Sequence, residues 1–448
     1  MKKIIISLLS VCFSYALHAQ DNPIRLSECI HLAIENKANI QAVKTDVLVA
    51  NLQELEAKNK YVPQISLAYE YRYNPIIASQ VIPIGQLSPT ASDEMRAVQF
   101  GTKWQQTAGI DLKQPLVDFS IQSKIAESKI NEKVKQADLH IAEEELTYEV
   151  LKSFGSLLSY TRQLENAVID TARTFKSYEL IKDKFDERRV LKTDVNKALL
   201  NHNNALSSYK TAVSELMKEK IYLSFLTALP IEKILDNDFD FTPLLSGNFS
   251  NMNEIVRFDE VASVQQLNFK EELLKQQIKS EKHKYIPSLN FIGYLGANQF
   301  AERFDPVMPD SWFGNSYIGV SLKMPLLGEN TRYKVRQMQA QMEGVTHNRI
   351  ETENKLMKDY LQASEDIRKY KEQIDLTADN VVLMNENVII FQERFTAGQY
   401  NASDLNLQEL DLLKEKNSLL KLQADLILKQ IEQLNFSGNL NMFVKGLD

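Results

Sequence analysis

The chain has 448 residues, a formal charge of −7, two cysteines and six histidines. Its acidic balance argues against a nucleic-acid partner, which would favour basic patches. Gly (14) and Pro (12) are scarce, and so few breakers imply few turns and very long helices.

Taken in chain order, Lys2 and Lys3 precede an apolar run from Ile4 to Leu17, then small residues at Ala16 and Ala19. This pattern reads as a secretory signal peptide over 1–20. The run falls short of the ~20 apolar residues that a membrane-spanning helix needs. Cleavage would remove two lysines and Cys12, leaving Cys29 alone. A single cysteine forms no internal disulfide, so packing must hold the fold. No other window is apolar over 18 residues, so no transmembrane helix is expected after export.

Two period-2 stretches follow. Ile65, Leu67, Tyr69, Tyr71 and Tyr73 alternate with Ser66, Ala68, Glu70 and Arg72; Trp104 to Leu112 alternates in the same way. Stretches of about ten residues with aromatics on the apolar face match membrane-barrel strands. A half-buried strand in a soluble sheet alternates identically, so the pattern alone decides nothing. A 3.5-residue period then takes over, through Leu146, Val150, Ser153, Leu157, Tyr160, Leu164, Ala167, Thr171, Thr174, Tyr178, Ile181 and Phe185. Apolar residues at that spacing make neighbouring helices supercoil.

The second half repeats this grammar. Tyr61-Val62-Pro63 returns as Tyr285-Ile286-Pro287, 224 positions on, and LKQPLVDFS from Leu112 returns 210 positions on as LKMPLLGEN from Leu322. The heptad series returns from Leu356 to Phe395, and Lys184–Val195 is echoed by Arg394–Leu405. A return helix with Leu410, Leu413, Asn417, Leu420, Ala424, Ile427, Ile431 and Leu434 on its seam closes the second half, Asn417 being a polar register device. The sequence therefore predicts a first repeat over 21–229, with a β-hairpin about 64–114 and a helical hairpin over 118–229. A linker over 230–253 leads to a second repeat over 254–448, with a β-hairpin about 288–324, a helical hairpin over 329–436 and a short tail. Pro63, Pro115, Pro287 and Pro325 are the expected strand–helix joints, because proline fixes φ and removes a ladder donor. Four strands cannot close a barrel, so strands in lipid must be pooled between chains. Two chains would leave a filled interior and three a lumen.

No HExxH, GxSxG, GxGxxG, Walker or CxxC sequence occurs, and the histidines are scattered, so no catalytic site, metal or cofactor is expected. Asp236-Asn237-Asp238-Phe239-Asp240 lacks the glycine and terminal glutamate of a calcium loop and reads as solvated linker. Glu143-Glu144-Glu145 reads as a solvated helix face.

The leader, the duplicated helix–strand hairpins and the turn RFTAGQYNASDL (Arg394 to Leu405) resemble the TolC-like outer membrane efflux proteins of Gram-negative bacteria. The resemblance covers essentially the whole mature chain. It implies a mainly α fold with β: a long coiled-coil α-barrel, plus four strands per chain contributed to a trimeric, 12-stranded outer-membrane β-barrel. It implies a homotrimer in outer-membrane lipid, reaching into the periplasm towards an adaptor protein and, through it, an inner-membrane pump. A channel gate at the periplasmic tip then falls on Asp404 and Asp194, with Leu407 as hydrophobic support. The adaptor-contacting turns fall on Arg188, Val190, Gly398 and Tyr400. Independently of the family, carboxylates around a narrow axis repel anions and raise one another's pKa. Either aspartate could equally be a helix cap or first-turn acid. Arg188 stands where the second turn has Gly398, so the two turns are expected to differ in shape. The alternative reading is a soluble periplasmic coiled-coil adaptor or scaffold protein.

Overall fold

The computed structural model describes residues 23–83, 95–245, 256–304, 312–325 and 330–447; the expected signal peptide lies outside them. The elements are β1 (Ile24–Arg25), α1 (Leu26–Asn36), α2 (Ala38–Asn59), β2 (Gln64–Tyr73), β3 (Ser79–Pro83), β4 (Met95–Gln99), β5 (Trp104–Val117), α3 (Phe119–Asp186) and α4 (Lys192–Thr227). There follow α5 (Ile231–Asp236), β6 (Phe239–Asp240), α6 (Thr242–Leu245), α7 (Ala262–His283), β7 (Ser288–Ala301), β8 (Trp312–Lys323), α8 (Thr331–Thr396), α9 (Ala402–Ser437) and α10 (Leu440–Lys445). The halves use elements of matching length: 22 residues in α2 and α7, 68 in α3 against 66 in α8, and 36 in both α4 and α9. None of the described helices is long and apolar enough to cross a membrane.

The chain divides into two compact units. One comprises 48–133 and 269–345 and holds a four-stranded antiparallel sheet in the order β2-β5-β7-β8. Register sets its chemistry. Row by row, Ile65 pairs with Leu112, Leu112 with Gly293 and Gly293 with Ile318; Leu67 pairs with Ile110 and Ile110 with Leu295. Because side chains alternate, one face collects most of the aliphatic residues of all four strands, and the other collects Glu70, Arg72, Thr107, Asp111, Lys113 and Asn298 beside a few aromatic rings, Tyr294 and Tyr317 among them.

The joints are built locally. Pro63 and Pro287 immediately precede β2 and β7, and Pro325 follows β8 by two residues. Pro115 instead lies within β5, opposite Asn290, with a bulge before Val117. The strand runs three residues beyond the expected end because it goes on pairing with β7 as far as Val117, after β2 has finished at the Gln64–Lys113 pair. Beyond it β5 has a free edge on that side, where a residue without an N–H costs no ladder bond. Asp118 makes the turn into α3: its Oδ1 accepts the Ser120 N–H at 2.8 Å, and its carbonyl accepts the Tyr61 hydroxyl at 3.1 Å.

The other unit comprises 1–47, 134–268 and 346–448. Its main core packs Leu26, Ile30, Leu151, Phe154, Leu157, Leu223, Leu226, Ile431, Leu434 and Phe443. The stretch around Asp238 departs from the expected linker. Phe239 pairs with Ile24 in a parallel bridge, and Phe239 and Phe241 meet the fully buried Phe154 edge-to-face at 5.6 and 5.5 Å. Two phenylalanines two apart on one face outweigh the flanking acids. Glu144 departs likewise from the solvated face: it accepts the Ala262 N–H at the start of α7 and, at 3.1 Å, the Asn441 amide, and burial pushes its carboxyl up. All twelve residues of each predicted heptad series, from Leu146 and from Leu356, are buried or half-buried along α3 and α8.

Candidate functional site: the paired helical tips

Each long helix ends in a turn before its return helix, and both turns share one backbone solution. Arg188 N–H donates to Phe185 O and Arg189 N–H to Lys184 O, each at 2.8 Å; Gly398 N–H donates to Phe395 O at 3.1 Å and Gln399 N–H to Arg394 O at 2.8 Å. This reciprocal pair of bonds satisfies the last carbonyls of a helix and requires a left-handed residue. That residue is Gly398 (φ 80°) in one turn and Arg188 (φ 61°) in the other. The expected difference in backbone shape is therefore absent: Arg188 adopts the glycine conformation at a strain of about 1 kcal/mol, and the turns differ in side chains only.

The tips pack together. Ile181, Val195, Ala198, Phe395, Ala402 and Leu405 form a buried cluster, with Phe185, Val190 and Phe391 against it. Lys184 Nζ donates to Phe395 O at 2.6 Å and lies 3.8 Å from that ring's centroid. Burial, then the nearby Arg189, pulls its pKa below the usual lysine range. Tyr400 stacks on Phe391 at 4.6 Å, and its hydroxyl accepts from Arg394 at 3.1 Å. An open cavity of about 700 Å³ is lined by Arg188, Val190, Asp194, Gly398, Tyr400 and Asp404 among others. Six of the seven predicted tip residues thus share one site. Leu407 does not line it and is exposed.

The two aspartates occupy the third position of their return helices but are employed differently. Asp194 Oδ2 accepts the Leu191 N–H at 3.1 Å, so its carboxylate caps α4. At α9 the cap is Asn401, whose Oδ1 accepts the Asp404 N–H at 2.9 Å. The Asp404 carboxylate accepts no hydrogen bond among the described residues.

Sequence periodicity missed a second feature. The predicted seam of α9 begins with Leu410, yet Leu410 is exposed and Asn406 and Glu409 are buried instead. Asn406 Oδ1 accepts from Asn201 of α4 at 3.4 Å, and the Glu409 carboxyl lies close to Ser177 and Arg173 of α3. Arg173 in turn pairs with buried Asp170 at 3.3 Å. Burial pushes the Glu409 carboxyl up, and Arg173 opposes that shift. Asn417, the expected register device, is exposed and borders a cavity between α3, α4 and α9.

No protein-family profile and no curated protein matches the sequence. Solved structures do match. The outer membrane protein VceC of Vibrio cholerae aligns with a TM-score of 0.71 at 13% identity, covering 92% of this chain and 96% of that one. The CmeC outer membrane channel of Campylobacter jejuni aligns at 0.69 and 15% identity, covering 94% and 90%. CusC aligns at 0.71 and 11% identity, covering 92% and 91%. This chain has the fold of the outer-membrane efflux channels. The TolC-like reading of fold class made from the hairpins and the RFTAGQYNASDL turn is the one that the structural neighbours share.

Proposed function

We propose that this protein is the outer-membrane exit duct of a tripartite efflux or secretion system, conducting substrates passively from a periplasmic adaptor and inner-membrane pump to the exterior. The observation that carries the reading is the apolar face of the sheet. Ile65 (72%), Leu67 (81%), Ile318 (82%) and Leu322 (70%) stand exposed on the single chain. Water does not tolerate a contiguous patch of that kind, whereas lipid requires it. From Leu289 to Ala297 the face spans eight residues, ~27 Å along the strand and ~21 Å upright at a ~40° tilt, close to the ~25 Å apolar band of such barrels.

The edges supply the second argument. β2 and β8 flank the sheet and have no further partner among the described residues. In hydrocarbon each unpaired backbone group costs several kcal/mol. The two edges run in opposite directions, so β8 of one copy meets β2 of the next antiparallel and the ring closes. Three copies, pooling four strands each, leave a lumen where two would not. The helical hairpins then enclose the periplasmic bore, Asp404 faces the constriction as a cation-attracting ring, and the tip turns at Arg188, Val190, Gly398 and Tyr400 meet the adaptor. We also infer that the chain is a tandem duplication, joined across residues 230–253. A soluble adaptor or scaffold is disfavoured, because it would leave the apolar face with nothing to cover it.

Planar-bilayer conductance of purified full-length protein tests the reading. Cation-selective channels are expected, with selectivity reduced in Asp404→Ala. Absence of conductance would contradict the duct, and unchanged selectivity would remove Asp404 from the gate.

A further inference from the structure

The polar face of the sheet carries an arrangement that barrel formation does not explain. In one row across three strands, Asp111 of β5 pairs with Tyr294 of β7, and Tyr294 with Tyr317 of β8, all on the face opposite Leu67 and Ile318. Tyr294 leans over a glycine pair: a Cβ at Gly109 would lie 2.5 Å from its ring carbons and hydroxyl, and one at Gly296 would lie 2.5 Å from the hydroxyl. No other residue type leaves room for the ring. Tyr317 stacks on it with centroids 5.7 Å apart and planes 20° from parallel. An aromatic ring over strand glycines repairs a weak point in a sheet, which accounts for Tyr294. It leaves Tyr317 unaccounted for: that side chain is 51% exposed, in the row of Asp111, whereas the face's other exposed rings, Phe300 and Phe313, pair with each other. The carboxylate of Asp111 makes no ion pair or hydrogen bond among the described residues, including with Lys113 two positions along the same face.

The geometry points to a binding site for planar organic cations on this wall, formed by Asp111, Tyr294 and Tyr317. An aromatic face attracts cations through its quadrupole and stacks on planar rings; the adjacent carboxylate adds the charge term and repels anions. Such a site is too small to trap its ligand, as a duct requires: binding must permit entry yet allow departure. Its placement in a lumen rests on the duct reading, but all three residues belong to one chain, so binding itself does not.

Ethidium is a suitable probe, followed by fluorescence titration of the full chain in detergent, with tetraethylammonium as a non-aromatic competitor and anthracene-2-sulfonate as an aromatic anion. Saturable ethidium binding is expected, displaced weakly by tetraethylammonium, which brings the charge without the planar ring, and not by the anion. Tyr317→Leu should weaken it about two- to fivefold, the worth of one exposed cation–π contact, and Asp111→Asn should weaken it by a similar factor through the lost charge, while Tyr317→Phe, which keeps the ring and controls for folding, should retain it. Identical titrations for wild type, Tyr317→Leu and Asp111→Asn, or equal displacement by the anion, would overturn the site. Protein that binds ethidium but passes no current would contradict the duct and leave the site standing. Protein that conducts but does not bind would do the reverse.

Discussion

The two return helices start from equivalent turns and end up in unlike surroundings. Asn406 and Glu409 of α9 are buried, whereas the residues 210 positions earlier in α4, Asn196 and Leu199, are exposed. α9 touches α3 through Glu409, α4 through Asn406 and α8 through Gln433, whose amide donates to Ser364 at 2.7 Å. α4 has a stripe of exposed apolar residues instead: Leu200, Met217, Ile221 and Phe225. Repeating a backbone does not repeat an environment. α9 is polar-bonded to helices on several sides, whereas α4 packs through Val195, Ala198, Leu223 and Leu226 and leaves an apolar stripe exposed.

The largest expected effect of breaking that asymmetry comes from Arg173→Met, which leaves Glu409 and Asp170 buried without their cation. Removing one partner of such a cluster costs roughly 3–5 kcal/mol, seen as a lower unfolding midpoint in urea and faster proteolysis within 170–180 and 402–412. The substitutions at the turns should have opposite signs. Gly398→Ala forces a side chain into a left-handed residue and should destabilise by about 1 kcal/mol, while Arg188→Gly relieves the same strain and should stabilise by a similar amount; amide exchange of the two turns reads both. Next in size are the caps. Asp194→Ala should loosen the start of α4 by ~1 kcal/mol, whereas at α9 it is Asn401→Ala, not Asp404→Ala, that carries that cost.

The smallest effect is the response to pH. Burial raises the folded pKa of Glu409 above its unfolded value, so the folded state binds the proton more readily. The resulting stability is fully present below the unfolded pKa and is lost as pH rises through the folded one. Mild acidification from neutrality should therefore tighten the tip. Glu409→Gln should flatten that dependence, measured as the proteolysis rate of the tip between pH 7.5 and 5.

Much of this was legible in the sequence. Period-2 alternation located β2, β5, β7 and β8, and the 3.5-residue series located α3 and α8, because each pattern records directly which side chains face inward. What stayed hidden did so for physical reasons. A buried Asn406 or Glu409 looks like surface until its partners on other helices are known, so periodicity starts the α9 seam at Leu410. Arg188 gives no sign of a left-handed backbone, which its neighbours' hydrogen bonds impose. Pro115 marks the edge left where β2 stops, and that edge depends on strand lengths rather than on proline alone. Phe239 and Phe241 sit among acids that disguise them as linker. At the tip, the residue types were readable; whether an aspartate caps or stays free was decided by Asn401 against Leu191.

Which medium covers each face of the sheet is measured most directly by spin labels on single cysteines at 67 and 318, and at 107 and 317, in reconstituted protein. Cys29 does not compete: it is buried, and burial with Glu28 pushes its thiol up to about 12. Labels at 67 and 318 should be relaxed by oxygen, which concentrates in lipid, and those at 107 and 317 by a water-soluble nickel chelate. Relaxation of all four by the chelate alone would show that no lipid lies against the sheet, and the duct would be refuted.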